Sequence, residues 1–580
     1  MKHIKLYSIL SFLLLCITGC NKDYLNTVPK DKLDANLFFN TAKDLEVYTN
    51  GFYSMLPTTD IYDASYGESS DDIVPLIVPD RIKGTRIVPV PSGSGSWSWS
   101  DLRTINYFLT HYQKCRDEEA KLHYGGVARF FRAYFYYDKV KKFGDVPWYN
   151  HVLNAGDEDL YKPRDPRALV MDSVLADLNF AIENLPAKPE LNQITKFTAL
   201  ALKSRVCLFE GTYRKYHNLG DDQKFLTAAV DAAEQLITSG TYHLYTKGGP
   251  ETAYRDLFAR NDQTAEETIL ARDYNPDFTR HNLSSLMTSP TQGAWGMTKD
   301  LVNSYLMIDG TPFTDIPGYD GYAFYEEMQH RDPRLTQSTA GPHFKVYGET
   351  TEEPVNLRAT TTGYRIIKAL ATRDQWSSSF NDVIIFRLGE VLLNYAEAKA
   401  ELGTLTQDDL NLSINKLRDR VGMPHLQLDF ANGHPDPFLA AMYPHVSSGT
   451  NKGAILEIRR ERRVELFNEG FRWDDLMRWK EGKKLEKPMV GMYFPSLGAY
   501  DFNGDGKADV YVYSGDKSGA PAGVTTLIDI KQRPLTNGTS GNLNPFKVKV
   551  TFDEHKDYLY PLPVEDLKLN DQLVQNPGWQ

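Results

Sequence analysis

Between residues 101 and 239 apolar side chains recur at helical spacing in five successive stretches. Residues 101–120 align Leu102, Ile105, Phe108 and Leu109, and 124–142 align Val127, Phe130, Phe131, Tyr134, Phe135 and Val140 before Gly144-Asp-Val-Pro147. Residues 165–185 carry Leu169, Val174, Leu178 and Ile182 and stop at Pro186. The next two, 195–212 and 222–239, carry Ala199, Leu202, Val206 and Phe209, then Phe225, Ala229, Ala232, Ala233 and Leu236. Each stripe must be buried against a neighbour. Helices of roughly 15–20 residues with short connections do this by packing antiparallel.

The expected fold is therefore mainly α: a superhelix of tetratricopeptide-like helical pairs, although the spacing departs from a clean repeat of about 34 residues. Helical spacing begins at about 41 with Ala42, Leu45 and Tyr48, and returns at 387–403, 408–421 and 452–481. Between 246 and 383 it breaks, and Gly, Pro, Asn, Asp and Thr recur among scattered aromatics. So long a loop-rich stretch inside a folded chain is usually functional. The expected organisation is a signal peptide (1–19), a lipidated tether (20–40) and a helical part (41–245). A loop-rich ligand-binding part (246–383), helices completing the core (384–481) and a part of loops and short strands (482–580) follow.

At the start, Lys2, His3 and Lys5 precede an apolar run from Leu6 to Ile17, then Thr18-Gly19-Cys20. That is the layout of a secretory signal peptide, and the run is too short to span a bilayer, which takes roughly 20 residues. Ile-Thr-Gly-Cys resembles a lipobox, so Cys20 is the expected lipidation site. The alternative is an ordinary signal peptide with a chance cysteine. Net charge is −11, which argues against nucleic acid as a partner. Cys115 and Cys207 fall in helical patterns and are expected to be buried thiols rather than a disulfide.

Several motifs recur together: Ala128-Arg-Phe-Phe-Arg-Ala-Tyr-Phe-Tyr-Tyr, Phe143-Gly-Asp-Val-Pro147, and Ile384-Ile-Phe-Arg-Leu-Gly-Glu-Val-Leu-Leu-Asn-Tyr-Ala-Glu-Ala. They are followed by Ile455-Leu-Glu-Ile-Arg-Arg-Glu-Arg-Arg-Val-Glu-Leu-Phe-Asn-Glu-Gly-Phe-Arg-Trp473, Tyr558-Leu-Tyr-Pro-Leu-Pro and Gln575-Asn-Pro-Gly-Trp579. In this order they resemble the SusD/RagB family of outer-membrane, nutrient-binding lipoproteins. The resemblance implies an all-helical core, a loop-rich half holding a glycan, and a TonB-dependent SusC-like outer-membrane transporter as partner. It also implies an outward-facing position on the cell outer membrane. The charged segment Arg459–Glu465 reads as a helix face tied to its neighbours by ion pairs rather than an anion site. Trp473 and Trp479 read as core, and Trp579 as packing the tail down.

Aromatics make up 12% of the chain, with 34 Tyr and 8 Trp, so some rings must reach the surface. A ring can stack on the apolar face of a sugar while polar neighbours bond its hydroxyls. Trp97 and Trp99 follow a Ser/Gly loop two residues apart, so one should point out and one in; Trp99, nearer the next helix, is expected to pack, leaving Trp97 for ligand. Tyr274, Trp295, Tyr322 and Trp376 are the corresponding candidates in the loop-rich part, with Arg81 and Arg280 as polar partners, although a solvated surface charge is the favoured reading of each arginine. Asp501, Asn503, Asp505, Lys507 (through its carbonyl) and Asp509, with Gly506 between them, match the spacing of a short structural calcium loop. Position 12 is Val512 rather than Glu, and the alternative is a plain turn joining two strands. Motifs for zinc proteases, phosphate loops and nucleophile elbows are missing. The reading is a glycan-binding protein without catalysis; the alternatives are a peptide-binding relative and a surface glycoside hydrolase.

Overall fold

The structure, a computed structural model, describes residues 38–446 and 449–579. The signal peptide, Cys20 and most of the tether lie outside the described residues. The chain is mainly α. The helices that frame it are α1 (Ala42–Asn50), α2 (Ser100–His111), α3 (Glu118–Phe143), α4 (Arg167–Asn184), α5 (Lys196–Tyr216), α6 (Asp222–Thr238), α7 (Leu388–Glu401), α8 (Lys452–Glu465) and the short α9 (Arg472–Arg478). Consecutive helices pack as pairs, α3 on α4 and α5 on α6, and α7 returns to lie on α5 and α6.

Local chemistry sets the helix ends. Thr41 and Asp44 form a reciprocal capping box at α1, and the Asp117 carboxylate accepts the Ala120 N–H at the start of α3. Gly144 ends α3 with φ 72°, in the half of backbone space where a side chain is strained, and a Cβ there would press on Leu559 at 3.3 Å. The periodic stretch 408–421 is divided at Ser413, whose backbone (φ −126°, ψ −91°) leaves the helix. The stretch 452–481 is divided between α8 and α9, where Asn468 (φ 59°) and Gly470 (φ 81°) turn the chain.

Nine short strands accompany the helices: β1 (Ile73–Val74), β2 (Thr268–Arg272), β3 (Gly296–Met297), β4 (Val383–Arg387), β5 (Tyr493–Phe494), β6 (Gly498–Tyr500), β7 (Val510–Tyr513), β8 (Thr526–Asp529) and β9 (Gly541–Asn542), among the described residues. Pairs β1–β3, β2–β4, β5–β9 and β6–β7 are antiparallel, and β7–β8 is parallel. Two main apolar cores result. The first lies among the helices; the second gathers Tyr254, Trp295, Tyr305, Tyr364 and Phe502 from the loop-rich and C-terminal parts. Strand β4 joins them, giving Val383 and Ile384 to the second core and Ile385 and Phe386 to the first.

Helix α8 crosses the boundary between these cores with its charges inside. Glu465, with no exposure, accepts from Arg420 Nη2 at 2.5 Å, Arg387 Nη1 at 2.8 Å and Arg334 Nη1 at 3.1 Å. Burial pushes its carboxyl up, but those arginines overcome burial and hold it far below the usual carboxylate range. Glu397 is likewise brought to about 2, burial opposing and Arg478 prevailing. Both groups bind a proton more weakly folded than unfolded. Their stabilisation is therefore present above about pH 4.3 and lost as pH falls below it. Glu465→Gln takes a shared counter-charge from three buried guanidiniums, so urea unfolding at neutral pH should show a loss of about 3–5 kcal/mol. A loss below about 1 kcal/mol, the size of a surface ion pair, would contradict this role. The gap between wild type and variant should narrow on titration from about pH 5 toward about pH 2, as the Glu465 carboxylate of the unfolded wild type takes up a proton that the folded one does not.

Candidate ligand-binding site

The loop before α2 folds back under two tethers from the C-terminal tail. The Asp566 carboxylate accepts Ser92 Oγ–H at 2.7 Å and Gly93 N–H at 2.8 Å. This turns Trp97 inward against Phe143, with ring centroids 4.7 Å apart and planes at 82°. Trp99 stands edge-on to Trp97 at 5.2 Å and to Tyr149 at 5.7 Å. Lys139 sits beneath Trp99 at 5.6 Å and donates to the Ser96 carbonyl; burial lowers its ammonium to about 8.

A cavity of about 460 Å3 opens between the start of α2, the loop from Pro147 to Tyr161 and the tail around Leu569. Trp99 and Tyr149 are half-buried in its wall, and Tyr161 is 54% exposed at the side. Burial, with Asp159 and Asp165 nearby, pushes the Tyr149 hydroxyl up to about 12, so it remains a donor at neutral pH. Asn106 Nδ2 donates to the carbonyls of Tyr149 (2.9 Å) and His151 (3.1 Å), while its buried Oδ1 has no partner. Arg103 is exposed and donates to the Leu153 carbonyl; His151 Nε2 lies 3.3 Å from Asp159. Ring faces beside a few oriented donors and acceptors suit a polyhydroxylated ligand with apolar faces.

Of the aromatics expected to contact ligand, Trp97 alone touches this cavity, and it is 3% exposed. Trp97, expected to face ligand, is turned in, whereas Trp99 packs on Phe135 and Tyr136 as expected but remains half-buried. The Asp566 tethers draw Trp97 onto Phe143 and leave Trp99 at the opening. Trp295 is 1% exposed and Tyr274 7%, so neither offers a face to solvent. Both belong to the second core, which the loop-rich spacing concealed. Tyr322, half-buried, packs edge-on to Phe313 at 6.1 Å. Trp376 donates through Nε1 to the Ala371 carbonyl (3.2 Å) and lies under Arg373 at 4.6 Å. Arg81 is spent on the carbonyls of Tyr66, Gly67 and Ser69, which makes it a structural clamp. Arg280 is exposed and donates to the Pro276 carbonyl at 2.9 Å. The sequence pattern assigned Trp99 to packing alone and did not point to Tyr149, Tyr161 or Asn106; the ring cluster Trp148-Tyr149 just after the Gly-Asp-Val-Pro turn was the available signal.

In the 501–509 loop the side-chain oxygens close the turn on its own backbone. Asp501 Oδ1 accepts the N–H groups of Asn503 (3.0 Å) and Gly504 (2.6 Å), and Oδ2 that of Gly506 (2.7 Å). Asn503 accepts from Asp505 N, Asp505 from Lys507 N, and Asp509 from Phe502 N. The side chains stabilise the turn between β6 and β7, with Gly504 and Gly506 at φ 80° and 81°. Among the described residues no group of three or more His, Cys, Asp or Glu side chains is arranged to hold a metal. Cys115 and Cys207 are separate buried thiols, and burial pushes the Cys207 thiol up to about 12. Adding EDTA or millimolar calcium should leave the thermal midpoint unchanged. A calcium-dependent rise of several degrees would restore the metal reading.

The family model described as the SusD family matches residues 257–579. The chain belongs to the SusD family. A second model, described as starch-binding and associating with the outer membrane, matches residues 96–208. The chain is 24% identical to SusD-like protein P2 of Formosa agariphila over 98% of both chains. It is 26% identical to SusD-like protein P38 of the same organism, over 64% of this chain and 69% of the relative. Among solved structures it resembles a SusD-like protein of Bacteroides fragilis (TM-score 0.69, 21% identity, 95% of this chain and 100% of that one). A SusD-like carbohydrate binding protein of the same organism gives TM-score 0.68 at 21% identity, over 93% of this chain and 100% of the other.

Proposed function

We propose that the protein captures an oligosaccharide in the cavity walled by Trp99, Tyr149 and Tyr161, without cleaving it. The observation that carries this reading is the 460 Å3 opening with aromatic faces beside Asn106 and Arg103. Support comes from the match to a starch-binding family model over residues 96–208, the segment that contributes the cavity from Trp97 to Tyr161. The cavity wall supplies one carboxylate, Asp566, whereas glycoside hydrolysis ordinarily uses two. No helix among the described residues is long and apolar enough to cross a membrane. In the same proposal a lipid on Cys20 holds the protein on the outer face of the outer membrane. There it passes ligand to a SusC-like, TonB-dependent transporter.

The test is affinity electrophoresis of the mature protein in gels containing one polysaccharide at a time. At least one glycan should retard it. Trp99→Ala should weaken that retardation at least about tenfold, the equivalent of about 1.4 kcal/mol, with the fold intact. Trp295→Ala should act differently, lowering stability by about 3–5 kcal/mol as an emptied core site does. If peptides but no glycan are bound, the reading fails. New reducing ends on incubation with polysaccharide would instead show a hydrolase.

A further inference from the structure

A second cavity, of about 160 Å3, lies beneath the Lys345–Glu352 hairpin and against the loop that follows β6. Its wall includes Phe344, Asn503 and Asp509, and at its back Arg365. Arg365 is 3% exposed, and its Nε and Nη2 have no hydrogen-bond partner. Those two atoms form the side-on edge of a guanidinium, the edge that grips a carboxylate with two parallel hydrogen bonds. Both have almost no accessible surface, so a ligand reaches them only as the cavity wall shifts. The group is held between rings, 5.9 Å from Phe344 and 5.6 Å from Trp376. Burial lowers its pKa only to about 10, so it carries its charge at neutral pH.

The surrounding carboxylates are already engaged. Glu353 accepts from Arg373 Nη2 at 2.5 Å, Glu352 lies 3.1 Å from His343 Nδ1, and Asp509 accepts the Phe502 N–H at 2.8 Å. Arg373 also grips Glu349 at 2.7 Å, so the hairpin over the cavity is latched from outside by a second arginine. A buried charge with unfilled donors is costly unless something pairs with it. Elsewhere in this chain buried arginines such as Arg387 and Arg420 meet glutamates directly. Arg365 instead meets a cavity.

We propose that this cavity is an anion subsite in which Arg365 receives the carboxylate of a small acidic ligand, of the size of one uronic acid residue. Asn503 and His343, at the wall, are placed to bond its hydroxyls. The proposal is independent of the aromatic cavity, since it names another pocket and another chemistry.

The test is isothermal titration of the mature protein with D-glucuronate, with glucose as the neutral counterpart and acetate as the bare carboxylate. Glucuronate should bind at least tenfold more tightly than glucose, and Arg365→Met should abolish that preference while circular dichroism stays unchanged. Binding of acetate as tight as glucuronate would reduce the site to a plain carboxylate hole and overturn the sugar-acid reading. Equal binding of glucuronate and glucose, or an unaltered preference in Arg365→Met, would overturn the subsite itself. Should Arg365→Met fail to fold, a crystal of the wild-type protein soaked in glucuronate decides. A carboxylate within hydrogen-bonding distance of Arg365 supports the proposal, and its absence at saturation overturns it.

Discussion

A helix reading Arg-Arg-Glu-Arg-Arg-Val-Glu can lie inside a protein only if every charge meets a partner, and the rest of this fold is arranged around that demand. From α8, Arg463 reaches Asp72, Arg462 reaches Asp475, and Arg460 reaches Asp436, while Glu461 and Glu465 receive Arg334, Arg387, Arg418 and Arg420. Arg387 also holds Glu267 and Glu469, and Lys368 closes the group on Glu469. Arg459 is enclosed by the rings of Tyr216, Tyr443 and Trp479. Chain segments separated by hundreds of residues are thereby fixed in one register, and the two apolar cores are joined through charge.

The helical half was legible in the sequence because its information is local. Stripes such as Val127, Phe130, Phe131 and Phe135 specify a buried face whatever the partner, and all four are buried. The charged segment of α8 was legible for a similar reason: four arginines and two glutamates within the seven residues Arg459–Glu465 need counter-charges, and ion pairing supplies them. Trp473, Trp479 and Trp579 are buried as their spacing and position implied. The loop-rich stretch was not legible. Short helices such as Ala253–Ala259 and Lys299–Ser304 and two-residue strands carry too few turns to show a period, yet they build a core around Trp295. A tryptophan flanked by glycine and alanine there looks like a surface ring until its distant neighbours are in place.

The same limit explains the binding site. Which of Trp97 and Trp99 faces out depends on Asp566, more than four hundred residues away in the chain, and no local pattern contains that tether. Tyr149 and Tyr161 become a wall only because the Val564–Leu569 helix closes the far side of the cleft. The scaffold thus does two things. Ionic pairing fixes the cores, and the C-terminal tail, anchored by Trp579 and Asn570, shapes the opening in which the rings of Trp99, Tyr149 and Tyr161 are presented.

The central claim is that these rings, on the helical side of the molecule, hold the glycan. A crystal structure with an oligosaccharide that the protein retains tests it most directly. The account predicts sugar density stacked on Trp99 or Tyr161 with hydroxyls toward Asn106 and Arg103. Sugar bound in the loop-rich stretch around Tyr322 and Trp376, with the Trp99 cavity empty, would contradict it.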